Sequence, residues 1–315
     1  MNEAVPDRTN KTHALREEAG IRSFDAYRER FRSFYDAIAS DHRESVRQHR
    51  GHGLDHDVTV AQLAAHIAPD ERTAEKAWCA GMLHSTDRYA AIAKVSEGPH
   101  EVGEEIMQNL KYIPPGYFSS GELSEMYAAA CRHDELNQED QSTVQMALMD
   151  ADRLVNLMNT VVIRAGQFQP GIPAFESEHL NGRPNPGSTY HSPKSVLDDL
   201  RIMIKEYLPQ LRLSKAKAMG ERLRERMERL IQSIEKDPRI AVIITAGQSR
   251  PEIPAFEFTF LSGRPNPEST ADHPKSVLDD LRLRELEASV RTRVDEFIHD
   301  AERDYRDLGL NGLAL

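Results

Sequence analysis

The stretch AWCAGMLHSTDRY, residues 77–89, decides how this chain can fold. Its first seven residues, 77–83, are apolar nearly all round a helix, and a helix of that kind lies buried in the centre of a bundle. The apolar run ends at His84, and Asp87 follows three residues later. Core packing requires neither an imidazole nor a carboxylate, so their position indicates a site at the end of this central helix.

The helical pattern extends over most of the chain. Apolar residues recur at three- and four-residue intervals from Phe24 to Ile38 and again through residues 56–67, which is the periodicity of amphipathic helices. The first 160 residues contain no convincing alternation of the strand type, so the sequence predicts an all-α fold. Further helices are predicted at 101–111, 121–133 and 141–160.

The composition restricts the class of protein. Hydrophobic residues make up 39% of the chain and charged residues 29%, and the formal net charge of −11 argues against charge-driven binding to nucleic acid or to anionic membranes. The two cysteines, Cys79 and Cys131, lie in apolar helical patterns and predict buried thiols in a reducing compartment. No stretch has the length of a membrane span or of a signal peptide, so we expect a cytoplasmic protein.

A tandem duplication occupies the second half of the chain. The segment 165–201, AGQFQPGIPAFESEHLNGRPNPGSTYHSPKSVLDDLR, returns 81 residues later without a gap at 246–282. Each copy is a proline-rich loop that leads into a helix, and a charged helix is predicted between the copies at about 195–235. A β-branched run precedes each copy, TVVI at 160–163 and AVII at 241–244, and either helix ends or a small strand pair fits these runs.

Three regions follow from these patterns. We expect a loose N-terminus at 1–21, a helical domain at 22–235 that ends with the charged helix, and a C-terminal extension at 236–315 that repeats the 165–201 segment. No acid–base or metal-ligating cluster recurs with the repeat. The extension is therefore expected to act as a lid or as an arm for homo-oligomer formation rather than in catalysis.

Four of the thirteen histidines fall on inward-facing positions of the predicted helices. These residues are His56, His84, His100 and His133. Two aspartates, Asp150 and Asp152, flank the apolar stripe of the helix at 141–160 on opposite sides, and periodicity does not choose between them. Imidazoles and carboxylates that converge inside an apolar bundle are costly unless a cation orders them, so the pattern predicts a metal centre.

The order of these motifs resembles the HD-domain superfamily of metal-dependent phosphohydrolases. The matching pieces are H-x-x-x-V at 56–60, MLHS at 82–85, H-x-x-G at 100–103, His133 and ADRL at 151–154. The resemblance covers about residues 22–160. It implies an HD-domain helical bundle, followed here by a C-terminal extension with the duplicated proline-rich loop and helix.

The resemblance also implies roles for individual residues. It gives His56, His84 and Asp152 as metal ligands, and it selects Asp152 because the ligand in the family is the aspartate of ADRL. His100 and His133 would bind a second metal or act on the phosphate as catalytic residues. Candidate phosphate contacts are Arg88 and Arg153, since guanidinium groups match phosphate geometry.

One position departs from the family pattern. Ser85 occupies the place of the aspartate that gives the HD motif its name, and this change removes a negative charge from the site. Asp87 lies three residues after His84, and on a continuing helix these two side chains share a face. Asp87 is therefore expected to replace the missing carboxylate as a ligand and catalytic group.

The resemblance implies that the protein is a phosphomonoesterase or phosphodiesterase that hydrolyses a nucleotide or another small phosphoester. The cofactor would be a divalent ion, with Mn, Mg, Co, Zn and Fe left open. Two alternatives remain at this stage: a degenerate HD fold that binds a ligand or serves as a scaffold without turnover, and a di-iron oxygenase of HD-like fold. Neither a membrane nor nucleic acid is expected as a partner.

Overall fold

The computed structural model describes residues 23–44, 53–86, 100–176, 193–256 and 268–307. These residues form thirteen α-helices and no strand, so the predicted all-α fold is confirmed. The helices are α1 (Phe24–Arg30), α2 (Arg32–Glu44), α3 (Leu54–Ile67), α4 (Glu71–Leu83), α5 (His100–Leu110), α6 (Ser120–Cys131), α7 (Thr143–Val155), α8 (Val161–Phe168), α9 (Val196–Tyr207), α10 (Ser214–Lys236), α11 (Val242–Ser249), α12 (Val277–Leu283) and α13 (Ala288–Asp307). The loose N-terminus expected at 1–21 lies outside the described residues.

Helix α4 lies at the centre of the N-terminal half, as its apolar run predicts. Every residue from Ala77 to Leu83 is buried, and α4 packs against α3, α6 and α7. Helix α3 approaches α4 closely because α4 has a glycine where the two helices cross. A Cβ atom on Gly81 would lie 2.5 Å from the Cα atom of Ala61.

Aromatic side chains from α1 and α2 cover one side of α4. The indole of Trp78 is fully buried and stacks against Tyr27 and Phe31, with ring centroids 5.6 Å and 5.9 Å away. The periodic residues from Phe24 to Ile38 are buried as predicted, although the helix is interrupted at Phe31 and continues as α2. This aromatic layer buries the side of α4 that carries Trp78.

The structure decides two points in the C-terminal half. Both β-branched runs lead into helices, α8 and α11, and form no strand pair. The single charged helix predicted at about 195–235 is wrong, because α9 and α10 are separate. A 3-10 turn at Leu208–Gln210 divides them: Pro209 has no N–H group to continue the helical ladder, and Leu211 and Leu213 are extended.

Helix α13 returns the end of the described chain to the N-terminal core. Asp304 Oδ2 accepts hydrogen bonds from the backbone N (3.2 Å) and the side-chain Nδ2 (2.9 Å) of Asn159. The hydroxyl groups of Thr160 and Tyr305 are also within hydrogen-bond distance, at 2.8 Å. These contacts, between buried residues, anchor α13 at the start of α8.

Two further expectations can be compared with the structure. Cys79 is buried as predicted, whereas Cys131 is exposed at the end of α6, so the prediction of two buried thiols is wrong for that residue. Within the described ranges, no helix combines the length and the apolar character that crossing a bilayer requires.

The close approach of α3 and α4 generates the first prediction. Gly81→Ala should lower the free energy of unfolding by about 1–3 kcal/mol, because the added methyl group must push two backbones apart. The control is Gly121→Ala, at an exposed position of α6 where a Cβ atom would meet nothing within 4 Å. Chemical denaturation measures both changes, and equal midpoints for the two variants would contradict the prediction.

Candidate metal centre

Two histidines from different helices meet beside the central helix. His56 lies in the first turn of α3, and His84 is the residue at which α4 ends. Their Nε2 atoms are 3.0 Å apart, and each residue is only 3% exposed. Because α3 and α4 cross closely, the start of one helix and the end of the other bring two imidazole nitrogens to one point.

Asp152 completes the group from a third helix, α7. Its Oδ1 atom is 3.7 Å from His56 Nε2, and the three ligand atoms of His56, His84 and Asp152 all lie within 4.8 Å of one another. Bonds of about 2.0–2.2 Å place two ligand atoms of one ion about 3.0–3.5 Å apart. The histidine pair already has this spacing, and a small rotation of Asp152, whose side chain is 28% exposed, would bring its oxygen into range.

The ring of His84 is oriented by the helix that carries it. His84 Nδ1–H donates a hydrogen bond to the carbonyl oxygen of Gly81 at 2.6 Å. This bond uses the proton on Nδ1, so Nε2 is the ring nitrogen that points to the cluster and can act as a ligand. Ser85 Oγ is 3.2 Å from the same Nε2 atom, and Ser85 is 2% exposed. Ser85 therefore lies at the cluster itself.

A buried carboxylate stands behind the histidine pair. Asp57 is fully buried, and its Oδ2 atom accepts a hydrogen bond from His42 Nε2 at 2.8 Å. Its other oxygen, Oδ1, lies 3.7 Å from His84 Nδ1. The sequence analysis missed Asp57 and His42. The sequence signal that could have identified Asp57 is an acidic residue directly after His56 in a predicted helix. In the structure this helix is α3, and its residues from His56 to Ala65 are all buried.

A buried arginine interacts electrostatically with the carboxylates of this region. Arg164 of α8 is 6% exposed, and burial lowers the pKa of its guanidinium while the carboxylates of Asp55, Asp152 and Asp57 act in the opposite direction. Arg164 therefore interacts electrostatically with Asp152 of the cluster and with Asp57 behind it. The sequence analysis missed Arg164 as well, because it treated the short run around it as a lead-in to the repeat.

His133 lies at the margin of the cluster. Its ring centroid is 5.3 Å from that of His84 in an edge-to-face arrangement, and the residue is half-buried. His133 Nδ1–H donates to the carbonyl oxygen of Ala130 at 2.8 Å, so Nε2 is the ring nitrogen that this bond does not use.

Asp150 and Asp152 have different partners in the structure. Asp150 is fully buried, and its Oδ2 atom accepts hydrogen bonds from the backbone N–H groups of Arg212 (2.8 Å) and Leu213 (2.7 Å). Asp150 therefore holds the extended segment that leads into α10, and only Asp152 lies with the histidines.

The other sequence-predicted residues are not part of the described cluster. The guanidinium of Arg153 donates to Asn137 Oδ1 at 2.8 Å and to the carbonyl oxygen of Gln210 at 3.2 Å, so it joins two loops and we leave it out of the site. Asp87 and Arg88 lie outside the described residues. The backbone of His100 begins α5, but its side chain is outside the described part of the chain.

The different partners of the two aspartates generate the second prediction. Asp150→Ala should lower the free energy of unfolding by about 2–4 kcal/mol, because two backbone N–H groups lose their acceptor. Asp152→Ala, two residues along the same helix, should change it by less than about 1 kcal/mol because its side chain is partly exposed. Urea denaturation of both variants measures this difference, and a reversed order of stabilities would contradict these roles.

Comparisons with known proteins give no family. No protein-family model matches the chain, and no curated protein matches it. Among solved structures, a structural-genomics crystal structure of a protein from Lactobacillus plantarum is similar, with 16% sequence identity and a TM-score of 0.49. The match covers 67% of this chain and 97% of that one.

Proposed function

We propose that this protein is a metal-dependent phosphohydrolase of the HD-domain type that acts on a small phosphoester such as a nucleotide. One observation carries the proposal: His56, His84 and Asp152, from three separate helices, bring their ligand atoms within 4.8 Å of one another. Two of these side chains are buried and the third is partly exposed, so a bound ion would be held by the core and open to solvent on one side.

The donor set supports a transition-metal-like ion. Two imidazole nitrogens and one carboxylate oxygen suit Mn, Co, Zn or Fe, whereas Mg and Ca favour sites made of oxygen atoms. Three protein ligands also leave coordination positions for water and substrate, as catalytic sites require. The Gly81 carbonyl group supports this set, because a hydrogen-bond acceptor behind a ligating histidine fixes its ring and increases its basicity. The Asp57 carboxylate, 3.7 Å from His84 Nδ1, adds negative charge behind the same ring.

The metal ion and the side chains around it would have separate roles in hydrolysis. A divalent ion in the site would supply Lewis acidity toward a phosphoryl oxygen and lower the pKa of water. His133 lies beside His84, and its Nε2 atom can donate a proton to the departing alkoxide oxygen. Asp152 is on the exposed side, so the phosphoester would approach from there, and Arg164 balances the buried carboxylates from within.

Metal analysis together with activity assays tests the proposal. Protein purified without chelators should contain, or take up, about one Mn, Co, Zn or Fe ion per chain. It should release phosphate from nucleoside monophosphates or p-nitrophenyl phosphate, or open cyclic nucleotides to nucleoside monophosphates. Protein that takes up no ion would contradict the proposal and favour a non-catalytic binding role. Iron with oxygen consumption and no phosphate release would favour an oxygenase instead.

Substitution of the three ligands provides the third prediction. His56→Ala, His84→Ala and Asp152→Ala should each lower bound metal at least tenfold in equilibrium dialysis, because each removes one of three donors. The matched control is His66→Ala, at a half-buried position at the other end of the same helix as His56. A His66 variant that loses as much metal as the His56 variant would contradict the ligand assignment.

The serine at the family aspartate position provides the fourth prediction. Ser85→Asp should raise metal affinity, since it adds a carboxylate next to the Nε2 atom of His84. If Asp87 replaces the missing aspartate, Asp87→Ala should lower bound metal at least as much as His133→Ala. Equal metal content in the Asp87→Ala variant and the wild type would reject the replacement and leave the three-ligand site unaffected.

A further inference from the structure

The two copies of the repeat contact each other through equivalent residues. Helices α8 and α11 cross at Gly166 and Gly247, which occupy the same position in the two copies. A Cβ atom on Gly166 would lie 2.5 Å from the carbonyl oxygen of Ile244, and one on Gly247 would collide with the carbonyl oxygen of Ile163. Ile163 and Ile244 are themselves equivalent, so each glycine faces the same backbone group of the other copy.

Hydrogen bonds across the crossing are reciprocal in the same way. Gln167 Nε2 donates to the carbonyl oxygen of Ile253 at 2.7 Å, and Gln248 Nε2 donates to that of Ile172, also at 2.7 Å. Each amide has a second acceptor three residues before the first, at 3.0 Å and 3.4 Å respectively. Donors and acceptors again occupy equivalent positions in the two copies.

Each copy also closes on itself by the same internal contacts. The backbone N–H of Val196 donates to the carbonyl oxygen of Pro173, and that of Val277 donates to Pro254, both at 3.0 Å. Ser195 and Ser276 cap the helices that follow, α9 and α12. Each copy is therefore one structural unit, in which a short helix leads through a proline-rich segment to a second, capped helix.

Reciprocal contacts of this kind define an isologous interface, in which residue i of one unit contacts residue j of the other and j contacts i. Units of a repeat array instead contact their neighbours through two different faces. The residues directly before the two copies differ: Arg164 is buried, whereas its equivalent, Thr245, is exposed. The glycine and the glutamine of the crossing are the same in both.

We infer that each copy is a self-pairing unit whose partner is a second copy of the same segment. The chain thus carries in tandem the two halves of a homodimer-like interface. The pairing is intramolecular in the full chain, so this surface is closed. A chain in which one half is disabled presents the remaining half, and that half pairs with the same half of another chain.

Substitutions at the crossing in the full-length chain test this inference. Gly247→Glu disables the second copy, and Gly166→Glu disables the first, because each places a charged side chain against backbone of the other copy. Sedimentation should show that the mass of each single variant is twice that of the wild type. The double variant has no intact half and should keep the mass of the wild type. Gly121→Glu, at an open position, is the control for the added charge.

The outcomes distinguish self-pairing from other contacts. Association that occurs only when the two single variants are mixed would overturn the inference, because it would show two different, complementary halves. Folded single variants that keep the wild-type mass would also overturn the inference. A double variant whose mass is twice that of the wild type, as expected for the single variants, would overturn it as well.

A second measurement applies if the glutamate variants do not fold. Gly166→Ala and Gly247→Ala should lower the unfolding midpoint by equal amounts. The double variant should lower it by less than the sum of the two single decreases, because one separation of the helices relieves both clashes. A large effect at one glycine with none at the other would overturn the inference.

Discussion

The close crossing of α3 and α4 is the constraint on which the rest of the structure depends. Gly81 has no side chain to separate α4 from Ala61, and its carbonyl oxygen accepts the hydrogen bond that orients His84. The same residue therefore sets the distance between the helices and the direction of one imidazole. Because His56 begins α3 next to the point where α4 ends, the two Nε2 atoms reach a separation of 3.0 Å.

Charge around this crossing is balanced by residues from distant parts of the chain. Asp57 is buried and bonded to His42, Asp152 is partly exposed on α7, and Arg164 comes from α8. Buried carboxylates are tolerated only where cations or donors compensate them. Under the proposed function, the positive charge of a divalent ion would compensate the negative charge of the carboxylates that Arg164 alone does not balance. His133 would donate the proton to the leaving group at the margin of the cluster.

The duplicated segment is connected to this centre through its first copy. Helix α8 presents Arg164 to the carboxylates from one face, and from another it contacts α11 through Gly166 and Gln167. The second copy supports α8 from outside, and α13 then returns to the start of α8 through Asp304 and Tyr305. The extension thus packs against α8, the helix that carries Arg164.

The sequence by itself determined the all-α class, the burial of the central helix, and the inward direction of His56 and His84, because helical periodicity is a local property that side-chain spacing reports. Helical periodicity left Asp150 and Asp152 open; the family resemblance selected Asp152, and the tertiary structure gave the two residues different partners. Two residues lie about 200° apart around a helix, so either could face the site, and the choice depended on what packs beside each. The roles of Asp57 and Arg164, the division of the charged helix at Pro209 and the pairing of the repeats have the same origin: they are contacts between residues far apart in the chain, which no local pattern records.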